Sequence, residues 1–364
     1  LSLPHRRFVL AAGFAAATAV RVGFLVVSPE NWDTEAYAEV VHVLDSGGTL
    51  YRDTPRYNYS PAWALILRAL SKGSAPLRIP LHRSVRALLL LSDAATAWLL
   101  YRIARDVFAR PPDRAAGAAL LFFGNPVSVF VTGFHAQFDG LAILFLLAAL
   151  WFEGRRPRRP AAAVGALAAS LLAKHVTAFH PLVFVRRRNG RGLPLPAVAV
   201  SYAIFLASFL TYWSQPAAVR QRVFGYGSMA EDYGIAMLKS VPGVPAWTPT
   251  ALFFAAALVA SFLLRRFEPA RACLLLFLVL LVFLPGIAEY YFVWPIALGS
   301  LFGGAGYAVF TLVVSAFFLG SPDGLGLALT HLPGWHGLWF GVVLWLLWEL
   351  RRVQRPEIKV ESRP

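Results

Sequence analysis

The stretch HRRFVLAAGFAAATAVRVGFLVV, residues 5–27, decides the fold class. Two arginines lead into a run from Phe8 to Val27 that is dominated by apolar side chains. A helix needs about 20 such residues to cross a bilayer core. The run exceeds the apolar core of a secretory leader and lacks a small-x-small cleavage signal before the polar segment, so it reads as a retained first span. Working outward, apolar runs recur at 83–103, 115–132, 140–152, 161–173, 176–185, 195–213, 248–264, 272–284, 292–301, 307–319 and 335–350. They predict about twelve crossings, several short, with 176–185 a broken or tilted one.

Composition agrees. Of the 364 residues, 58% are hydrophobic and 15% charged, with a mean hydropathy of +0.59. A soluble domain carries about 25% charged residues, and it could not surround so many helices that are apolar on every side. The net charge of +15 raises nucleic acid as a partner. The basic residues punctuate the apolar runs instead of forming one basic face, which argues against it. Arg105, Arg110 and Arg114, then Arg155, Arg156, Arg158 and Arg159, then Arg186, Arg187, Arg188 and Arg191, then Arg265, Arg266 and Arg271 occupy alternate loops. Arg351, Arg352, Arg355 and Lys359 lie in the tail. All fall on the side of Arg6 and Arg7, and the positive-inside rule makes that side, with both termini, cytoplasmic. The lone Cys273 permits neither an intrachain disulfide nor a cysteine metal cluster. Arginine far outnumbers lysine, which points to a prokaryotic plasma membrane. One transmembrane domain is expected over 1–350, with a cytoplasmic tail at 351–364.

The opposite loops are acidic. Residues 28–82 carry Glu30, Asp33, Glu35, Glu39, Asp45 and Asp53; later loops carry His135, Gln137 and Asp139, then Glu289, Tyr290 and Tyr291. A longer outer loop spans 214–245. Ionisable groups at membrane depth are costly and are functional candidates. The densest cluster is Asn31-Trp32-Asp33-Thr34-Glu35-Ala36-Tyr37. Carboxylates two apart cannot share a helix face, so Asp33 and Glu35 are expected in a loop just past the membrane. There one carboxylate could accept the proton of a reacting hydroxyl. The plainer reading is a solvated acidic loop or helix N-terminus. Tyr37, Val40, Val41 and Leu44 recur at helical spacing and predict an interfacial helix over 36–44, stopped by Gly47-Gly48. Tyr51-Arg52-Asp53 and Arg56-Tyr57-Asn58-Tyr59-Ser60-Pro61 suit either a lipid phosphate or an aromatic belt.

Read in order, Asp33-Thr34-Glu35-Ala36-Tyr37, Gly48-Thr49-Leu50-Tyr51-Arg52 and Arg56-Tyr57-Asn58-Tyr59-Ser60-Pro61 resemble the first external loop of the GT-C glycosyltransferases that use polyprenyl-phosphate sugars. The likeness is greatest to the first mannosyltransferases of GPI-anchor assembly and their prokaryotic relatives. That loop carries D-x-D-Y, G-x-x-x-Y-x-R and Y-R-Y-[TS]-P. Glu35 stands at the second Asp and keeps its charge; Asn58 stands at an Arg and leaves phosphate contact there open. Ser92-Asp93-Ala94 through Trp98-Leu99-Leu100-Tyr101-Arg102 is similar to the family's second span. Gly124-Asn125-Pro126 and Gly133-Phe134-His135-Ala136-Gln137-Phe138-Asp139 look like its third span and exit. They are also similar to the N-P…H-F-Q-Y-N pattern of dolichyl-phosphate-glucose glucosyltransferases. Lys174-His175 resembles the basic position after the fifth span, and Pro285 to Pro295 the late Q-Y-F-x-W element. The likeness reaches to about Pro295.

The resemblance implies an all-α, GT-C-like polytopic bundle of about ten to thirteen transmembrane helices, with interfacial helices in the first external loop. It implies inverting transfer of a hexose, mannose foremost, from a polyprenyl- or dolichyl-phosphate sugar to a glycan, lipid or protein acceptor on the extracytoplasmic face. Asp33 would be the catalytic base. Lys174, His175, His135 and Arg56 would meet the leaving phosphate. Gln137 and Asp139 would hold hydroxyls, with Glu35, Tyr37 and Tyr59 as further substrate contacts. Tyr290, Tyr291 and Trp294 would line the lipid groove. Arg222, Tyr226, Glu231, Asp232 and Tyr233 would form a mobile cover hinged at Gly225 and Gly227. Each has a plainer reading: a snorkelling Lys174, a satisfied interfacial His135, Asp139 as a helix cap, belt aromatics at the late element. Asp33 and Glu35 are hard donors that could take a divalent cation, but the resemblance implies no required metal or cofactor. The competing functions are a transporter or lipid flippase and a non-catalytic scaffold of a glycan-assembly complex.

Overall fold

Helices make up every regular element of the computed structural model, which describes residues 3–186, 190, 192–225, 233–320 and 334–354. Among these the only β pairing is an isolated bridge between Val185 and Leu193. Arg187, Arg188, Arg191, Tyr226, Gly227, Glu231, Asp232, Arg355 and Lys359, named above, lie outside the described residues, as does 355–364.

The first helix, α1 (Leu3–Val27), is followed by three helices in the segment expected to be the first loop: α2 (Trp32–Asp45), α3 (Leu50–Asp53) and α4 (Pro61–Ser74). Then come α5 (Leu81–Arg102), α6 (Pro112–Phe123), α7 (Pro126–Gly133), α8 (Asp139–Gly154) and α9 (Pro160–Ala173). A 3-10 turn at 175–177 and the short α10 (His180–Val183) stand where a broken span was expected. The remainder is α11 (Leu195–Ala207), α12 (Pro216–Val219), α13 (Thr248–Leu264), α14 (Pro269–Val282), α15 (Ile296–Phe302), α16 (Ala305–Gly320) and α17 (Trp335–Gln354).

Among the described residues three helices are long and apolar enough to cross a membrane: Pro4–Val27, Leu81–Val107 and Leu195–Tyr212. The bent pair of α6 and α7 makes a fourth. The other apolar runs form shorter helices, such as α9, α13, α14 and α16. Exposed side chains along α1, α11, α13 and α17 are themselves large and apolar, among them Phe8, Val27, Leu206, Phe254, Phe262 and Leu344. An apolar exterior of this extent suits hydrocarbon, not water, and the chain is an α-helical membrane protein.

The break between α6 and α7 has a local cause. Pro126 has no amide hydrogen to continue the ladder, and Asn125 caps α7 by accepting from the Val127 amide. The axes turn by 48°. The Asn125 amide also donates to Tyr307 Oη at 2.8 Å and Thr311 Oγ1 at 3.0 Å on α16, which pins the bend.

Two buried clusters organise the interior. The larger runs through α5–α9 and α14–α17. The smaller joins α2, α3 and α4 to the adjoining ends of α8, α9 and α11. The first loop is therefore packed. Tyr51 and Tyr57, which suited a belt or a phosphate by sequence, are buried, and Tyr51 meets Tyr57 and Tyr212 ring to ring. Buried charges on α1 and α5 are paired. Arg21 of α1 bonds the Asp93 carboxylate of α5, Ser128 Oγ of α7 at 2.9 Å and the Phe123 carbonyl at 2.8 Å.

The basic loops gather at one end. Arg102 and Trp151 Nε1 share Asp106, Arg158 pairs with Glu153, and Arg271 and Arg352 share Glu349. Arg110 and Arg352 donate to the carbonyls of Leu301 and Gly303.

Candidate functional site

The opposite end is built around the start of α2. Asn31 closes a capping box there. Its side chain accepts from the Thr34 amide, and Thr34 Oγ1 accepts from the Asn31 amide. The Asn31 side-chain Nδ2 donates to the Phe134 carbonyl at 2.8 Å, tying the helix start to the chain leaving α7. The expectation that Asp33 and Glu35 share a loop is thus corrected: both sit in the first turn of α2. The helical turn then separates them. Glu35 is exposed, while Asp33 is half-buried and faces the turn 134–138.

That turn carries His135, Gln137 and Asp139. It reverses sharply at Ala136, whose φ of 56° lies in the left-handed region. Gln137 approaches Asp33 closely enough to favour its charged form, although its Nε2 completes no hydrogen bond of normal geometry. Burial pushes the Asp33 carboxyl above the usual carboxylate range, and Asp139 adds to this; Gln137, His135 and Lys174 pull the other way. Tyr37, one turn on from Asp33, donates to the Ala136 carbonyl at 3.3 Å. Burial, with the charges of Asp33 and Asp139, holds its phenol well above the ordinary range, so it stays protonated.

Lys174 follows α9 and does not snorkel. It is buried and paired with Asp139 Oδ2 at 2.5 Å, and it donates to Gln137 Oε1 at 3.3 Å. Its ammonium lies 4.7–5.1 Å from the ring centres of Tyr290, Phe138 and Tyr59, with Tyr291 at 6.0 Å. Such an aromatic cage stabilises a desolvated cation. Asp139 is not a helix cap either, since Phe138 holds that position without a side-chain bond. The second Asp139 oxygen accepts from Trp294 Nε1 at 2.7 Å, and Trp294 stacks on Tyr291 at 4.5 Å. Trp294 is therefore a buried bracket for Asp139, while Tyr290 remains half-buried beside Lys174.

His135 faces Glu289, with Nε2 3.7 Å from Glu289 Oε2. Both atoms are buried and complete no hydrogen bond. Two candidates stand apart. Arg56 is engaged by Glu39 at 2.9–3.0 Å and lies over the Trp32 ring at 5.2 Å, on the flank of α2. His175, on the 3-10 turn, has an unpartnered Nδ1 and no hydrogen bond to the Asp33 group. Of the expected cover, Arg222 donates to the Pro55 carbonyl at 3.1 Å, and Tyr233 is anchored inside against Phe292 and Trp335. Among the described residues no three His, Cys, Asp or Glu side chains converge to hold a metal.

Sequence reasoning passed over Arg86. It is buried on α5 and donates to four carbonyls: Ser28 at 3.2 Å, Pro29 at 2.6 Å, Gly133 at 2.9 Å and Phe134 at 3.1 Å. One guanidinium thereby fixes the chain leaving α1 against the chain leaving α7, which carry Asp33 and Gln137. The only signal in the sequence is an arginine six residues into an apolar helix. Glu289 was noticed as a loop acid, but only its approach to His135 makes it part of the group.

No protein family, curated protein or solved structure matches the chain. The arrangement itself offers one half-buried carboxylate with a raised pKa, a caged lysine, and open polar atoms on Gln137, His135 and Glu289.

Proposed function

We propose that this protein is a membrane glycosyltransferase of the GT-C type, which moves a hexose, mannose foremost, from a polyprenyl-phosphate sugar to a hydroxyl acceptor at the extracytoplasmic end of the bundle. The observation that carries the reading is the convergence of Asp33, Gln137, Asp139 and Lys174 from three separate parts of the chain into one partly buried group. The motifs that resemble the family's loops supply these same residues.

In this reading the acceptor oxygen attacks the anomeric carbon, and its proton passes to Asp33. The bond from that carbon to the phosphate oxygen breaks with inversion, and the lipid phosphate departs with the electron pair. Positive charge nearby stabilises the departing oxygen. Lys174 contributes through a charge already shared with Asp139, and His135 contributes its open Nε2. Gln137 lies against the base and favours its charged form, and neutral Tyr37 braces the turn at Ala136; neither competes for the proton. The twelve-span topology with both termini cytoplasmic belongs to the same proposal.

The test is transfer by purified protein in liposomes holding a polyprenyl-phosphate sugar and a hydroxylated glycolipid acceptor. Asp33→Asn should lose about 10²–10⁴-fold in rate, the usual share of a general base, while still binding the donor lipid. Full activity in that variant removes Asp33 from the role. Lipid movement across the bilayer without sugar transfer by the wild type favours the transporter reading instead.

A further inference from the structure

The far end of the molecule holds a cavity that the proposed reaction does not use. It encloses about 880 Å³ between the ends of α5, α8, α10 and α14. Its wall includes four arginines, Arg102, Arg155, Arg156 and Arg158, and three acids, Asp106, Glu153 and Glu268. The acids are already committed. Asp106 accepts from Arg102 and Trp151, Glu153 from Arg158 and the Gly192 amide, and Glu268 caps α14 by accepting from the Ala270 and Arg271 amides. Arg155 instead lies over the Trp151 ring at 4.7 Å, and Arg156 is exposed and makes no ion pair among the described residues. Two guanidinium groups on adjacent residues thus face the cavity without a carboxylate of their own. Deeper in, Leu150, Val183 and Phe184 give it an apolar wall.

We infer that this cavity binds a phosphoester anion, with Arg155 and Arg156 as the phosphate contacts. Guanidinium groups match phosphate oxygens in charge and fork geometry. The apolar wall beside them suits a group that continues from phosphate into hydrocarbon. In a membrane protein whose basic end gathers at one face, the anionic phospholipid of that leaflet is the nearest supply, and free phosphate is the other source. This site is independent of the glycosyltransferase reading.

The experiment uses the full chain in nanodiscs of phosphatidylcholine with increasing phosphatidylglycerol, read by mass spectrometry of retained lipid, with phosphate binding read by calorimetry. Wild type should hold phosphatidylglycerol in preference to phosphatidylcholine. R155Q/R156Q should bind it roughly thirty-fold more weakly, from about one decade or less per arginine. R265Q/R266Q, which removes two charges from the same end outside the cavity, should bind like wild type. Inorganic phosphate that binds wild type, and fails on R155Q/R156Q, without any lipid preference identifies a free phosphate as the ligand. Equal lipid and phosphate binding by wild type and R155Q/R156Q overturns the site, as does an equal loss in R265Q/R266Q.

Discussion

Asp33 and Glu35 stand about 200° apart around α2, which is why one carboxylate joins the site and the other meets solvent. The raised pKa of Asp33 has two consequences of known sign. A base must be ionised, so activity should fall with decreasing pH at a higher pH than an ordinary carboxylate would give. Gln137→Leu removes a group that favours the charged form and should move that acid limb higher still, visible in a pH profile of kcat/KM. Ionisation of Asp33 also opposes folding: the stability present while it is protonated is lost as pH rises through its folded pKa. Asp33→Asn should accordingly melt no lower than wild type at neutral pH, while losing transfer. The Lys174–Asp139 pair behaves oppositely. Asp139→Asn keeps an acceptor for Trp294 but strands a buried ammonium, at about 3–5 kcal/mol; Lys174→Met strands the carboxylate at similar cost. The double variant should recover most of that stability in a thermal melt but not the activity, which separates a charge used in the reaction from a purely structural pair.

At the level of elements, the capping box of Asn31 was not anticipated, though its cause is visible in Asn31-Trp32-Asp33-Thr34. An asparagine three residues before a hydroxyl is a good helix start, but two acids at that spacing suit a loop equally well. The amphipathic helix over 36–44 was legible from Tyr37, Val40, Val41 and Leu44, because periodicity is local information. What local information could not supply was the partner: Tyr51 and Tyr57 read as interfacial because nothing in their own segment announces Tyr212. Asn31→Ala should cost about 1 kcal/mol of stability and a larger share of activity, since the same side chain also fixes the Phe134 carbonyl. Unfolding and turnover measured on one preparation would separate the two losses. The contact of α1 with α7 is equally exacting. A Cβ on Gly133 would lie 2.8 Å from Phe24 Cβ, which cannot swing away. Gly133→Ala should destabilise by about 1–3 kcal/mol, read as a lower melting temperature.

Across the whole molecule, the class of fold was legible because run length and arginine spacing are bulk properties that no single contact can reverse. The number of crossings was less so. Apolar runs such as 176–185 and 292–301 resolve into short helices and 3-10 turns packed among neighbours, and hydropathy cannot tell such a segment from a simple span. Sidedness can be tested directly, because Cys273 is buried and gives little background. Ser46→Cys and Arg159→Cys replace exposed residues near the two ends. A membrane-impermeant maleimide should label the first in intact cells and the second only after lysis; the reverse pattern inverts the proposed topology. The four carbonyls held by Arg86 bear on how such a protein is made. A ribosome delivers α5 to the bilayer before Gly133 and Phe134 exist. The guanidinium enters with half of its final acceptors missing, each unmet bond worth roughly 1–3 kcal/mol. The acidic end of the molecule therefore closes only when α7 arrives, and a nascent chain stopped short of that point holds α5 with two of the Arg86 hydrogen bonds unmade.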